Sequence, residues 1–174
     1  AFQGERQIGS TLKPFVYAAA IARGLLPGTL IEDAPLRPGE IDGVLSGWNP
    51  GNSDGKFLGW LPVTSGLVQS RNTMTIRIGN YAGLDRVMQL LSDAGLSQGD
   101  KKTPQIFIGN AGANLRQLTS GFSIFPNEGL RRRPYLIDRI IDRTGQVIYS
   151  TPVLETEVIT PGVAHLSRRL LTKV

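Results

Sequence analysis

From Leu12 to Ala22 the chain reads LKPFVYAAAIA, and the only polar side chains in it are Lys13 and the hydroxyl of Tyr17. A segment that is apolar around its circumference forms a helix buried on most sides. Other elements must therefore cover it, and a lysine at its entry needs a chemical reason. The spacing predicts a helix over residues 11–23, closed by Gly24 and then by Pro27-Gly28. Pro14 falls at the first turn or just past it, where it forfeits at most one backbone hydrogen bond.

The rest of the chain mixes two periods. Residues 25–62 are rich in Gly and Pro, with short extended candidates such as TLIED, and read as loop-rich connecting structure. A short helix is expected over 63–70 and an amphipathic one over 82–95, with Leu84, Val87, Met88 and Leu91 on one face. Another is expected over 115–126, where Leu115, Leu118, Phe122 and Phe125 recur at helical spacing. Then RPYLIDRIID and QVIYS flank a Thr-Gly turn, which reads as a β-hairpin. A last helix runs from Pro161 with Val163, Leu166, Leu170 and Val174 inward. With 174 residues the chain holds one core-bearing domain of mixed α and β structure.

Composition narrows the function classes. A net charge of +5 and a pI near 9.9 raise nucleic-acid binding. The one dense basic cluster, Arg131 to Arg133, lies between Gly129 and Pro134 with no aromatic stacking platform beside it. It reads as a solvated loop, with no nucleic-acid partner. Zero cysteines exclude a disulfide framework and a cysteine nucleophile. No run of about 18 apolar residues is present to span a bilayer, and residues 1–9 lack the apolar region of a signal peptide. His165, the sole histidine, reads as structural or solvent-facing, and Trp48 and Trp60 as packing residues with cleft lining second.

The chemistry gathers at two short motifs. Serine needs an adjacent base to act as a nucleophile at neutral pH. On a helix, residues three apart lie on one face with Cβ atoms about 5–6 Å apart, so Lys13 can reach the hydroxyl of Ser10. Burial lowers a lysine pKa and brings its neutral form within reach, and the apolar run supplies that burial. Alone, S-x-x-K reads equally as a capping serine followed by a surface lysine. A second motif, Ser70-Arg71-Asn72, falls in a loop at the end of the 63–70 helix. Ser70 can relay a proton there, and the Asn72 amide can donate and accept at once. Serine and asparagine are also common where a helix simply ends.

Together RQIGSTLKPFVYAAAI, WNPGNSDGKFLGWLPVTSGLVQSRNT and LRQLTSGFSIFPNEGLRRRPYLIDRIIDRTGQVIY, in that order, resemble the transpeptidase domain of penicillin-binding proteins, most like the bifunctional class A type. The resemblance implies the fold shared by these enzymes and serine β-lactamases. It casts Ser10 as the acylated nucleophile, Lys13 as its base, Ser70 as the proton-shuttling serine and Asn72 as a substrate contact. It implies acyl transfer between D-alanine-terminated peptidoglycan stem peptides, β-lactams as inhibitors that acylate the same serine, and no metal or organic cofactor. It also implies a place on the extracytoplasmic side of the bacterial cytoplasmic membrane, anchored by a segment outside this sequence.

One family motif is missing. No K-T-G occurs; the near matches are Lys102-Thr103-Pro104, whose proline lacks the N–H a strand edge needs, and Arg143-Thr144-Gly145, placed in the hairpin turn. The expectation is that residues 1–174 are one partial transpeptidase domain, lacking the opening strands and the K-T-G strand and inactive alone. Its helix 11–23 would then stay exposed until other segments of the same domain cover it. A β-lactamase or penicillin-sensing domain of the same fold, and a non-catalytic helical interaction module, are the alternatives.

Overall fold

The computed structural model describes residues 4–44, 47–96 and 102–174. Strand β1 (Arg6–Gln7) leads into a 3₁₀ turn (Gly9–Leu12) that continues as helix α1 (Lys13–Ala22). From Leu12 to Ala20 every residue of this stretch is buried, with Phe15, Val16, Ala18, Ala19 and Ala20 wholly so. The expected exposed faces are therefore not found. Helices α2 (Val63–Val68), α3 (Asn72–Ala82), α4 (Leu84–Asp93) and α6 (Pro161–Leu171) surround α1, and the rings of Phe122 and Phe125 meet Phe15 edge-to-face and tilted, respectively. Three successive alanines let these neighbours approach closely.

Helix α3 occupies ground that the sequence assigns to a loop. Its first turns carry Asn72, Thr73, Thr75, Ile76 and Ile78, residues of modest helix propensity. Burial decides the matter, because Thr73, Met74, Thr75, Ile76 and Ile78 all face the core. Gly83, at φ +91° and ψ 133°, ends α3 and starts α4, a conformation that leaves no room for a longer continuous helix. Helix α5 (Leu115–Phe122) opens on a capping box in which Asn114 and Gln117 satisfy one another's backbone amides. Leu115 sits exposed at its start, and Val174, expected inward, lies exposed past the end of α6.

The strands pair in antiparallel twos. Strand β1 pairs with β4 (Gly112–Ala113), and β2 (Leu30–Asp33) with β3 (Gly59–Pro62) across the loop-rich region. The basic cluster is not a loop: β5 (Leu130–Arg132) pairs with β8 (Glu155–Glu157), Arg132 bridges Glu155, and Arg131 donates to the Asp93 carbonyl. The expected hairpin is present as β6 (Arg139–Ile141) and β7 (Val147–Ser150), and Asp142 accepts from the turn residues Thr144 and Gln146. His165 is exposed on α6. Trp48 packs at the core's edge, whereas Trp60 is 65% exposed and does not pack as expected.

Candidate active site

Ser10 lies in the 3₁₀ turn, and its position is set from outside its own segment. Ile8 N donates to the Ala111 carbonyl at 3.0 Å and Gly9 N to the Gly109 carbonyl at 3.2 Å, extending the β1–β4 pairing up to the turn. Gly109 holds φ +96°, and a Cβ there would lie 2.0 Å from the Gly9 carbonyl oxygen. Only glycine allows this approach.

Ser70 ends α2. Its amide donates to Leu67 O at 3.0 Å, while that of Arg71 donates to Gly66 O at 2.9 Å. This is the Schellman pattern, with serine in the left-handed position usually held by glycine, at φ +52°. Such a conformation costs a non-glycine residue about 1–2 kcal/mol. It turns the chain so that the Ser70 hydroxyl reaches Ser10 and Asn72 begins α3 alongside.

The structure brings Ser10, Lys13, Ser70 and Asn72 together. Lys13 Nζ donates to the Ser70 carbonyl at 2.6 Å, to Ser70 Oγ at 3.0 Å and to Asn72 Oδ1 at 2.7 Å. Ser70 Oγ lies 3.1 Å from Ser10 Oγ. The geometry differs from the direct Ser10–Lys13 contact that helical spacing suggests. The two sit on either side of the junction between 3₁₀ turn and helix, and the hydroxyl of Ser70 bridges them. Burial pushes the Lys13 pKa down to about 8, and the nearby positive charge of Arg71 pushes the same way.

The arrangement selects the direction of the lysine lone pair. Two of the three Lys13 partners are carbonyl-type oxygens that can only accept. When Lys13 is neutral, its two N–H groups stay on those oxygens and its lone pair faces Ser70 Oγ, the one partner with a proton to give. Ser70 can then accept from Ser10. Asn72 Nδ2 donates to the Gly51 carbonyl at 2.9 Å, which leaves the side chain one further N–H and one lone pair.

Behind these residues lies a polar network that the sequence reading missed. Asp33, wholly buried at the end of β2, accepts from Asn52 Nδ2 at 2.7 Å, Thr73 Oγ1 at 2.5 Å, Leu58 N at 3.0 Å and Arg71 Nε at 2.9 Å. Burial alone would raise its pKa, but these hydrogen bonds outweigh it and hold the carboxyl below its usual range. Arg71 also bridges Asp54 at 2.8 Å and donates to the Lys56 carbonyl. The available signal was Arg71 itself, a guanidinium between two site residues that needs acidic partners. Which acids would supply them was not readable from spacing.

Arg143-Thr144-Gly145 makes only the hairpin turn, and Lys102 bridges Asp85 at the surface. Among the described residues no group of three or more His, Asp or Glu is placed to hold a metal ion, and no helix is long and apolar enough to cross a membrane.

Comparisons with known proteins bear on the family and the fold. The model of the penicillin-binding protein transpeptidase domain matches residues 1–174. Penicillin-binding protein 1A of Rickettsia bellii is 35% identical over 147 residues, which is 84% of this chain but 18% of that protein. The crystal structure of penicillin-binding protein 1A from Haemophilus influenzae superposes with a TM-score of 0.83 at 27% identity, over 98% of this chain and 30% of that one. Penicillin-binding protein A from M. tuberculosis, solved as an imipenem acyl-enzyme complex, shares the fold at TM-score 0.83 and 20% identity, over 97% of this chain and 43% of that one. A mixed α/β fold, a serine and a lysine joined through a second serine, and these likenesses converge: the chain belongs to the penicillin-binding protein transpeptidase family, with class A relatives of the 1A type.

Proposed function

We propose that residues 1–174 are part of a D,D-transpeptidase that cross-links peptidoglycan through an acyl-serine intermediate on Ser10. The reading rests on one observation above all, the Ser10–Ser70–Lys13 chain at 3.1 and 3.0 Å. Ser10 Oγ attacks the carbonyl between the two terminal D-alanines of a stem peptide, and its proton moves through Ser70 to Lys13. The C–N bond then breaks, and the leaving D-alanine amine takes that proton back along the same path. An amine of a neighbouring stem peptide attacks the acyl-enzyme, gives its proton to the relay and releases Ser10. Asn72 holds Lys13 in line and offers its remaining N–H and lone pair to a substrate amide.

β-Lactams are proposed as inhibitors that acylate Ser10, in keeping with the imipenem acyl-enzyme of the M. tuberculosis protein. The site belongs on the extracytoplasmic face of the cytoplasmic membrane, with other segments of the domain supplying the K-T-G strand and oxyanion hole. Loss of one oxyanion donor costs on the order of 10²–10³ in rate, so residues 1–174 alone are expected to be inactive.

Labelling of the intact parent protein with a fluorescent penicillin tests the reading. The label is expected on the peptide containing Ser10, is lost in Ser10→Ala, and is released slowly. A label retained in Ser10→Ala overturns the assignment, and rapid hydrolytic release makes the protein a β-lactamase instead.

A further inference from the structure

The Asn52 side chain is 8% exposed as a residue, and both of its ends are committed. Its Oδ1 accepts from the backbone amide of Asn72 at 2.7 Å and from that of Thr73 at 3.4 Å. Those amides open α3, whose own N-cap, Arg71, offers no side-chain acceptor. Its Nδ2 donates to the buried Asp33 carboxylate at 2.7 Å and to the Lys56 carbonyl at 2.9 Å. One side chain thus links a fixed anion on β2 to the first turn of α3. Arg71 is clamped to the same carboxylate through Nε at 2.9 Å. The backbone of residues 71–73 is therefore gripped from both sides, and it carries the Asn72 oxygen that accepts from Lys13 at 2.7 Å.

We infer that Asn52 is a positioning residue for acyl transfer: by tying the Asn72 amide to Asp33 it fixes the oxygen that holds Lys13 against Ser70. Asn52 touches neither the nucleophile nor its base. Its effect passes through Asn72, and it differs from an ordinary helix cap because the helix it caps begins with a residue of the relay. Removing a cap costs stability, whereas a shift of about 1 Å in a catalytic group can cost about 100-fold in rate. Asn52→Ala should therefore slow the chemical step more than it disturbs ligand binding.

The inference rests on Ser10 acylation, and the experiment separates the two. In the intact parent protein, stopped-flow labelling with a fluorescent penicillin yields the dissociation constant of the non-covalent complex and the first-order acylation constant. Asn52→Ala is expected to lower the acylation constant roughly 10–100-fold while the dissociation constant moves less than about threefold, as expected when only reacting-group geometry changes. Leu91→Ala, a wholly buried core change on α4, serves as the destabilised control and is expected to keep the wild-type constant on its folded fraction. Should Asn52→Ala fail to fold, Asn52→Ser keeps one hydroxyl in place of the two-ended amide and is expected to show a smaller loss in the same constant. An unchanged acylation constant in the folded Asn52 variant, or an equal loss in Leu91→Ala, overturns the inference. Labelling that survives Ser10→Ala strikes at the acyl-transfer reading instead.

Discussion

The pH dependence of the proposed Ser10 acylation follows from the Lys13 environment. Lys13 is 1% exposed, its pKa falls from 10.5 to about 8, and burial is the larger cause with the charge of Arg71 second. At pH 7 the neutral fraction of a group with pKa 8 is about 9%, against about 0.03% for an unshifted lysine. Burial and the Arg71 charge together thus make the neutral amine of Lys13 roughly 300-fold more available as a base, equivalent to about 3 kcal/mol of barrier. With Lys13 accepting the proton of Ser10 through Ser70, the acylation constant should rise about tenfold per pH unit from pH 6 to 7.5 and level off above pH 8. Rapid-mixing labelling with a fluorescent penicillin between pH 6 and 10 measures it. The folded protein holds Lys13 below its unfolded pKa, so between about pH 8 and 10.5 the unfolded chain binds the extra proton. The Lys13 contribution to stability must then rise with pH across that window, by about 3 kcal/mol relative to Lys13→Met. A flat acylation profile from pH 6 to 9, or one still climbing tenfold per unit at pH 10, would refute a buried neutral lysine as the base.

Three other outcomes can be measured on the intact protein. Gly109→Ala puts a Cβ 2.0 Å from the Gly9 carbonyl at φ +96° and must displace the turn carrying Ser10; penicillin labelling should fall at least tenfold on the folded fraction, and wild-type labelling would contradict this role. Arg71→Met leaves Asp33 buried without its main cation and should cost about 3–5 kcal/mol in denaturant unfolding; a loss under 1 kcal/mol would show that the pair is dispensable. Ser70→Gly relieves a left-handed serine but frees the unfolded chain, so its stability should stay level or rise by about 1 kcal/mol. Its acylation should be nearly lost, and retained acylation would mean that Lys13 reaches Ser10 without the Ser70 bridge.

The parts of the fold legible in the sequence were those written in periodicity. The apolar run around Phe15 to Ile21 announced a central helix, and the Thr144-Gly145 turn announced the β6–β7 hairpin. Helix α3 was hidden because Thr73, Thr75, Ile76 and Ile78 look like strand or loop residues until α1 and α2 bury them. The basic run at Arg131–Arg133 likewise gives no local sign of pairing with Glu155–Glu157, since that register is set by chain more than twenty residues on. At the site, Ser10, Lys13, Ser70 and Asn72 could be named because the motifs are short and local. Asp33 and Asn52 could not, because Asp33 meets Asn52, Leu58, Arg71 and Thr73 across 19 to 40 residues of sequence, and Asn52 reaches the amides of Asn72 and Thr73 across 20 and 21.

The same separation explains how the site is held in a conformation it would not adopt locally. It keeps Lys13 and Arg71 close enough for one charge to act on the other, and it keeps Ser70 in a left-handed conformation. Both are unfavourable, and neither is relieved by the segment that bears it. The counterweight to Arg71 is Asp33, whose carboxylate is saturated by hydrogen bonds from β3-side backbone, Asn52, Thr73 and Arg71. The counterweight to Lys13 is α1 itself, whose wholly buried apolar side chains anchor the lysine's backbone while its amine bridges to the 70–72 turn. Were Asp33 absent, Arg71 could relax toward Asp54 and solvent, and the 70–72 backbone would lose the grip that sets the Lys13 acceptors. The proposed role of Lys13 as a base therefore depends on an anion that touches neither it nor Ser10, and the loop from Gly51 to Leu58 is the part of the chain that connects them.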